Sequence, residues 1–154
     1  MPKIATLFVD RVRKLGYYGV RKDVIQMEIT IGMKGEVATL VEREDTAQEV
    51  GSGSLLVYAT PCMVALMEGA ACEAIAPCLA EGTSSVGTAL NIAHTSATPV
   101  GLEVRAEAEV TAVEGKTITF AVRAYDEAGQ IGSGTHTRVL VSSQKFLDKA
   151  YTKL

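Results

Sequence analysis

The 154-residue chain contains no Trp, three Phe and five Tyr, so rings make up only 5% of it. Its core must therefore be built from Ala, Val, Leu, Ile, Gly and Met, which favours close backbone packing over aromatic layers. No uncharged apolar run approaches the roughly 18 residues that a membrane span needs. Cysteine is scarce too. Cys62, Cys72 and Cys78 are odd in number and lack CxxC spacing, which argues against a disulfide framework or a zinc site. All three fall in one apolar segment and read as buried small hydrophobes in a cytoplasmic protein. The N-terminus has no uninterrupted apolar stretch with a cleavage site, so no secretory signal is expected. Neither Gly51-Ser52-Gly53 nor Gly132-Ser133-Gly134 sits in a strand–helix–strand unit, so neither is a dinucleotide fingerprint. No metal and no cofactor is expected.

What is present fits one globular domain. Hydrophobic residues make up 47% of the chain and charged residues 21%, and a chain of this length buries about two-thirds of its unfolded surface. The formal charge of −3 is uneven. Residues 1–22 hold Lys3, Arg11, Arg13, Lys14, Arg21 and Lys22 against Asp10 alone. The rest is therefore more acidic than the total implies, and nucleic-acid binding has no support outside the basic end. Ile4, Phe8, Val12 and Leu15 recur at helical spacing. The expected organisation is a basic, helical extension over 1–22 and one compact domain over 23–154.

Within that domain, 27–41 reads as a strand, a turn near Lys34-Gly35, and a second extended piece. Residues 42–54, acidic and then Gly/Ser-rich, read as a loop or cover. Thr60-Pro61 opens a helix running to about Ala80, with Thr60 as N-cap, Pro61 in the first turn and Gly82 as terminator. Only Glu68 and Glu73 are charged in its first four turns, so protein must surround it. Its small residues (Ala65, Gly69, Ala70, Ala71, Ala74) let a sheet come close.

Strand signal follows. Residues 86–98 alternate. In 102–113, Leu102, Val104, Ala106, Ala108, Val110 and Ala112 face one way; Glu103, Arg105, Glu107 and Glu109 face the other. Turns at Glu114-Gly115 and Ala128-Gly129 separate strands over 116–126 and 130–143. One buried helix followed by a long antiparallel meander predicts an α+β hotdog fold, a sheet curled around a central helix. Its open edge predicts a homodimer.

Few residues can carry chemistry. Glu68 is the acid deepest in the apolar helix, where a carboxylate needs a partner or a raised pKa. A satisfied structural Glu is the bland alternative. His94 shares strand parity with Val86, Leu90 and Ile92, which points it inward; contact with Glu68 would make it a base near neutral pH. The alternative is a core histidine. Thr60 lies at the positive end of the helix, where free N–H groups stabilise an oxyanion. Eight residues separate Thr60 from Glu68, roughly 12 Å of rise, so the two should not touch directly. A Thr, a Glu and a His can together run hydrolysis of an ester or thioester.

Three blocks in order also resemble the fluoroacetyl-CoA thioesterase family of hotdog proteins. They are Ala59-Thr60-Pro61-Cys62-Met63-Val64-Ala65-Leu66-Met67-Glu68, the stretch from Val86-Gly87-Thr88 through His94 to Ala97-Thr98-Pro99, and Ile131-Gly132-Ser133-Gly134-Thr135-His136-Thr137-Arg138. The resemblance implies hydrolysis of an acyl-CoA substrate by a homodimer, with Thr60, Glu68 and His94 catalytic and Gly87 and Arg138 at the substrate. Gly87 lies an odd number of residues from His94. It should therefore act through its backbone or a bulge. An outward, salt-bridged Arg138 is the alternative for that residue. The family's fluoroacetyl-specific member carries a Phe-bearing lid before the helix; residues 46–56 contain no Phe, and Tyr58 is the nearest ring. The acyl group is thus left open. A non-catalytic acyl-CoA binding module on the same fold is the competing expectation; a hotdog hydratase lacks its motif here.

Overall fold

The computed structural model describes residues 27–154. The expected helix at 4–15, and the basic extension with it, lie outside the described residues. The elements run β1 (Lys34–Leu40), a 3-10 turn (Arg43–Asp45), α1 (Ala47–Val50), α2 (Thr60–Ile75), a second 3-10 turn (Ala76–Cys78), β2 (Thr83–His94), β3 (Glu103–Glu114), β4 (Thr117–Asp126), β5 (Gly129–Ser142) and α3 (Ser143–Tyr151). The five strands form one antiparallel sheet in the order β1-β3-β4-β5-β2. Helix α2 packs chiefly against β1 and β3 and only slightly against β2. The expected α+β architecture of a sheet curled around one helix is the architecture observed.

Alternation makes this sheet one-sided. Val104, Ala106, Ala108 and Val110 of β3, and Ile118, Phe120, Val122 and Ala124 of β4, are all buried. They meet Cys62, Met63, Leu66, Met67, Ala70, Ala71, Ala74 and Ile75 of α2. Each fully buried large side chain in this set contributes about 1.5–3 kcal/mol. Small residues set the approach: a Cβ at Gly35 would run into the backbone of Ala70 and Ala74, so only glycine lets β1 lie this close to the helix. The stretch Thr60–Cys78 is long and apolar enough to cross a membrane by length and composition alone, which exceeds the sequence expectation. It is the core helix, half buried against the sheet.

Several boundaries differ from expectation. The early turn falls at Ile31-Gly32, with Gly32 at φ 91°, and Gly35 lies inside β1. The N-cap of α2 is Ala59, not Thr60. The helix stops at Ile75 rather than near Gly82, because Pro77 cannot supply the next N–H. The 42–54 segment holds the 3-10 turn and α1 as well as loop. Helix α3, with no buried residue, follows β5 beyond the last strand expected, where no element was foreseen. Cys62 and Cys78 are buried and Cys72 half-buried, all three free.

Candidate active site

The start of α2 is tied to the loop after β2. Tyr58 N–H donates to the Thr98 carbonyl (2.8 Å), and Ala59 N–H donates to the Asp45 carbonyl (2.8 Å). The Ala59 carbonyl accepts from Met63 N–H (3.0 Å), which makes Ala59 the cap. Thr60 is therefore the first helical residue, and its hydroxyl is not used on its own helix. It hydrogen-bonds instead with His94 Nδ1 at 2.8 Å. The pair lines a recess of about 280 Å³ together with Ala47, Val57, Tyr58 and Ser96. Thr60 is exposed and His94 half-buried. Pro61 has no N–H, so the first turn leaves the Thr60 and Cys62 N–H groups free of helical partners.

Burial pushes the His94 imidazole below its ordinary value, which the Ser96 backbone partly offsets. The ring is thus a neutral base at neutral pH. Its Nε2 is buried and has no hydrogen-bond partner among the described residues. Cys62, two residues along, is no competing nucleophile: burial, then the charge of Asp45, pushes its thiol up to about 11.

Glu68 lies two turns further along α2 and does not join this pair within one chain. The expected Glu68–His94 contact is replaced by another. Glu68 Oε2 accepts from Arg138 Nη1 at 3.0 Å and lies 3.8 Å from His136 Nε2. Eight residues of helix hold Glu68 too far along the axis to reach His94 from the same chain. Arg138 is 6% exposed and points inward, so its outward reading is overturned. Its Nε donates to Ser85 Oγ (2.8 Å), its Nη2 to the Ser85 carbonyl (2.9 Å), and its Nη1 also meets His136 Nε2 (3.1 Å).

A bulge builds the rest of this cluster. Between β2 and β5 the register shifts between Gly87 and Ala89. Thr88 is the extra residue, and the parity of β2 flips there. Gly87, opposite Arg138, therefore faces the same side as His94, opposite Gly132. Val86, expected on the His94 face, is turned to the other. A Cβ on Gly87 would sit 2.5 Å from Glu68 Oε2 and 3.0 Å from His136 Cε1. Glycine here is a notch over the carboxylate.

The structure thus brings the five predicted residues together in two groups, Thr60 with His94, and Glu68 with Gly87 and Arg138. Sequence reasoning missed Ser85 and His136. His136 was findable: it shares parity with Arg138 and is one of only two histidines. It is 1% exposed and stacks on Phe120 with ring centroids 6.1 Å apart. Burial first, and the charge of Arg138, hold its imidazole below the ordinary value against opposing contributions from the Ala89 backbone and Glu68. No group of three or more metal-ligating side chains occurs among the described residues.

Comparison with known proteins bears on the family and the fold. Residues 41–144 match the family model described as fluoroacetyl-CoA-specific thioesterase. The fluoroacetyl-CoA thioesterase of Streptantibioticus cattleyicolor is 46% identical over 97 residues, 63% of this chain and 70% of that protein. A solved structure of a fluoroacetyl-CoA thioesterase superposes with a TM-score of 0.78 at 36% identity, covering 83% of this chain and 99% of that one. A hot-dog-like protein from Thermanaerovibrio acidaminovorans aligns at 22% identity and a TM-score of 0.72, over 80% of this chain and 92% of that one. That last likeness concerns the fold alone.

Proposed function

The chain belongs to the fluoroacetyl-CoA-specific thioesterase family and hydrolyses an acyl-CoA thioester to the acid and CoA, and from that premise we propose how its residues do so. Thr60, Glu68 and His94 are the catalytic groups, while Gly87 and Arg138 shape and charge the substrate site. The enzyme works as a homodimer joined through β2. A cytoplasmic address is part of the proposal, supported by three cysteines that are all free.

The observation that carries this reading is the state of β2. It is one of the two edges of the sheet among the described residues, β1 being the other, and it is exposed continuously from Gly87 to Asn91; such an edge is a template for pairing with another chain. Antiparallel pairing of two copies, centred between Leu90 and Asn91, sets His94 opposite the partner's Gly87. That is the notch over Glu68. The two groups that one chain keeps apart then face one another across the two-fold axis.

In the joined site, the thioester carbonyl lies at the start of α2. The Thr60 hydroxyl and the free N–H groups of the first turn stabilise the oxyanion there. Glu68 is held by one oxygen, Oε2, so its other oxygen is free to orient the attacking water. Neutral His94 takes the proton, directly or through Thr60, and returns it to the departing thiolate of CoA.

Release of free thiol across acyl-CoAs from acetyl to medium-chain and aryl tests this. Glu68→Gln and His94→Ala should each lower kcat by about 100-fold or more. Mixed as refolded heterodimers, the two variants should regain activity, since one of the two sites then has all its groups. Unchanged turnover in the single variants sinks the assignment; a mixture with no recovery sinks the shared site. Saturable binding without thiol release from the parent would favour a binding module.

A further inference from the structure

Nothing in the thioester chemistry above uses His136, yet it sits in the middle of the Glu68 cluster. Its surroundings fix its protonation without reference to any titration. Nδ1 lies 2.9 Å from the Ala89 carbonyl oxygen, which can only accept. Nε2 lies 3.1 Å from Arg138 Nη1, which can only donate. Both contacts are made only if Nδ1 carries the proton and Nε2 keeps its lone pair. The ring is neutral and in one tautomer. A proton on Nε2 would point at a guanidinium and break that contact.

The consequence reaches Glu68 through one nitrogen. Nη1 of Arg138 has two hydrogens. One goes to Glu68 Oε2 at 3.0 Å and the other to His136 Nε2 at 3.1 Å. Ser85 holds the other end of the guanidinium through Nε and Nη2. With His136 in place the guanidinium plane is fixed along two edges, and so is the direction from which it meets Glu68. The other contact of the ring bears on the same place. Ala89 is the residue at which β2 resumes register after the extra residue Thr88, so the His136 N–H also clamps the bulge that puts the Gly87 notch over Glu68.

We propose that His136 is a positioning residue for thioester hydrolysis. Its Nδ1–H anchors the β2 bulge, and its Nε2 orients Arg138 and, through Arg138, the Glu68 carboxylate. This rests on the reading of Glu68 as a member of the thioesterase site. His136 does not touch substrate; it sets the geometry of groups that do.

Two substitutions separate its atoms. Asn places a donor where Nδ1 is and nothing where Nε2 is; Gln places an acceptor where Nε2 is and nothing where Nδ1 is. In His136→Asn, kcat should fall about 10- to 100-fold, the worth of a hydrogen bond to a charged group, with KM within about threefold of the parent. His136→Gln should restore kcat to within about fivefold, while unfolding at lower denaturant because the bulge has lost its clamp. A merely structural histidine predicts otherwise: both variants lose the Phe120 stacking alike, and activity follows the folded fraction. Equal kcat in the two variants, or an Asn variant as fast as the parent, overturns the proposal.

A measurement on the parent protein guards against variants that fail to fold. Nitrogen-15 spectra of the histidine rings should show His136 protonated at Nδ1 and unprotonated at Nε2. The opposite tautomer overturns the proposal whatever the variants do. If the parent itself releases no thiol from any acyl-CoA, the thioesterase reading has failed and this proposal falls with it. A parent that turns over beside a fully active Asn variant refutes this proposal alone.

Discussion

The two halves of the site sit on one helix yet are built in opposite ways. At the start of α2, Thr60 is exposed, is joined to His94 by a single hydrogen bond, and opens on a recess of about 280 Å³. Two turns on, Arg138 is buried and makes contacts with Glu68, His136 and the hydroxyl and carbonyl oxygens of Ser85. The first half has room for a substrate and little to hold it rigid. The second has its charges fixed before any substrate arrives. Fixed charge costs no rearrangement at the moment of reaction, whereas in the proposed mechanism the groups that meet the departing thiol must move a proton. The division of labour follows from burial: a carboxylate and a guanidinium near a core need every partner satisfied, and an exposed hydroxyl does not.

The largest expected contrast is in stability. Arg138→Leu removes four donated hydrogen bonds and leaves Glu68 without its cation. It should cost about 2–3 kcal/mol, discounted from a fully buried pair because the Glu68 side chain is 35% exposed. Thr60→Ala removes one exposed hydrogen bond and should cost about 0.5–1 kcal/mol. Urea unfolding at constant m-value measures both. Equal midpoints for the two variants would break the contrast between a rigid and an open half.

A smaller effect on stability with a sharp one on activity is expected at Gly87. The Cβ of Gly87→Ala would meet Glu68 Oε2 at 2.5 Å, so the end of a flexible side chain must move off Arg138. The displacement should cost about 1 kcal/mol in stability, and about tenfold or more in kcat/KM through lost orientation. The signature is local. The ring signals of His94 should be those of the parent in the isolated subunit, while those of His136 shift. If His94 moves instead, the two halves are coupled within one chain.

The same contrast explains what the sequence revealed and what it hid. Strands β3 and β4 were legible because Val104 to Val110 and Ile118 to Ala124 alternate without interruption and one face meets the core. The helix was legible because a run of small and apolar residues around two acids has nowhere to go but inside. The site residues were named by resemblance, and their grouping was half visible: the helical rise already kept Thr60 from Glu68. What could not be read was contact across the sheet. The odd spacing of Gly87 and His94 called for either a backbone role or a bulge, without deciding between them or pointing to Thr88, and that one residue turns Val86 outward. Arg138 read equally well as a surface cation, since only the strand order sets it against Ser85. Helix α3 was missed because the strand reading stopped at Ser143: Phe146, Leu147, Ala150 and Tyr151 do recur at helical spacing, but none of them is buried.

The smallest effect expected is that of pH on stability. Burial lowers both imidazoles, His94 at the open half and His136 at the rigid one. A histidine whose folded-state value is depressed binds its proton less tightly folded than unfolded. Above about pH 6.5, the ordinary value, both states are neutral and the rings add no pH dependence. As pH falls below that, the unfolded chain takes up the protons first, so stability declines through the window down to the lowered values and then levels off. Urea midpoints at about pH 7.5 and pH 5.5, above the range where carboxylates titrate, should show the decline. His94→Asn and His136→Asn should each flatten it. The two halves part company in kcat. Protonating His94 removes the proposed base, so the acid limb of the profile should lie below the ordinary imidazole value and follow its titration. Protonating His136 would set a second cation against Arg138 and break the contact that orients Glu68, so any loss of rate from it should vanish in His136→Gln, whereas the loss that follows His94 should remain. An acid limb that disappears in His136→Gln and persists in His94→Asn would show that the rigid half, not the open one, sets it.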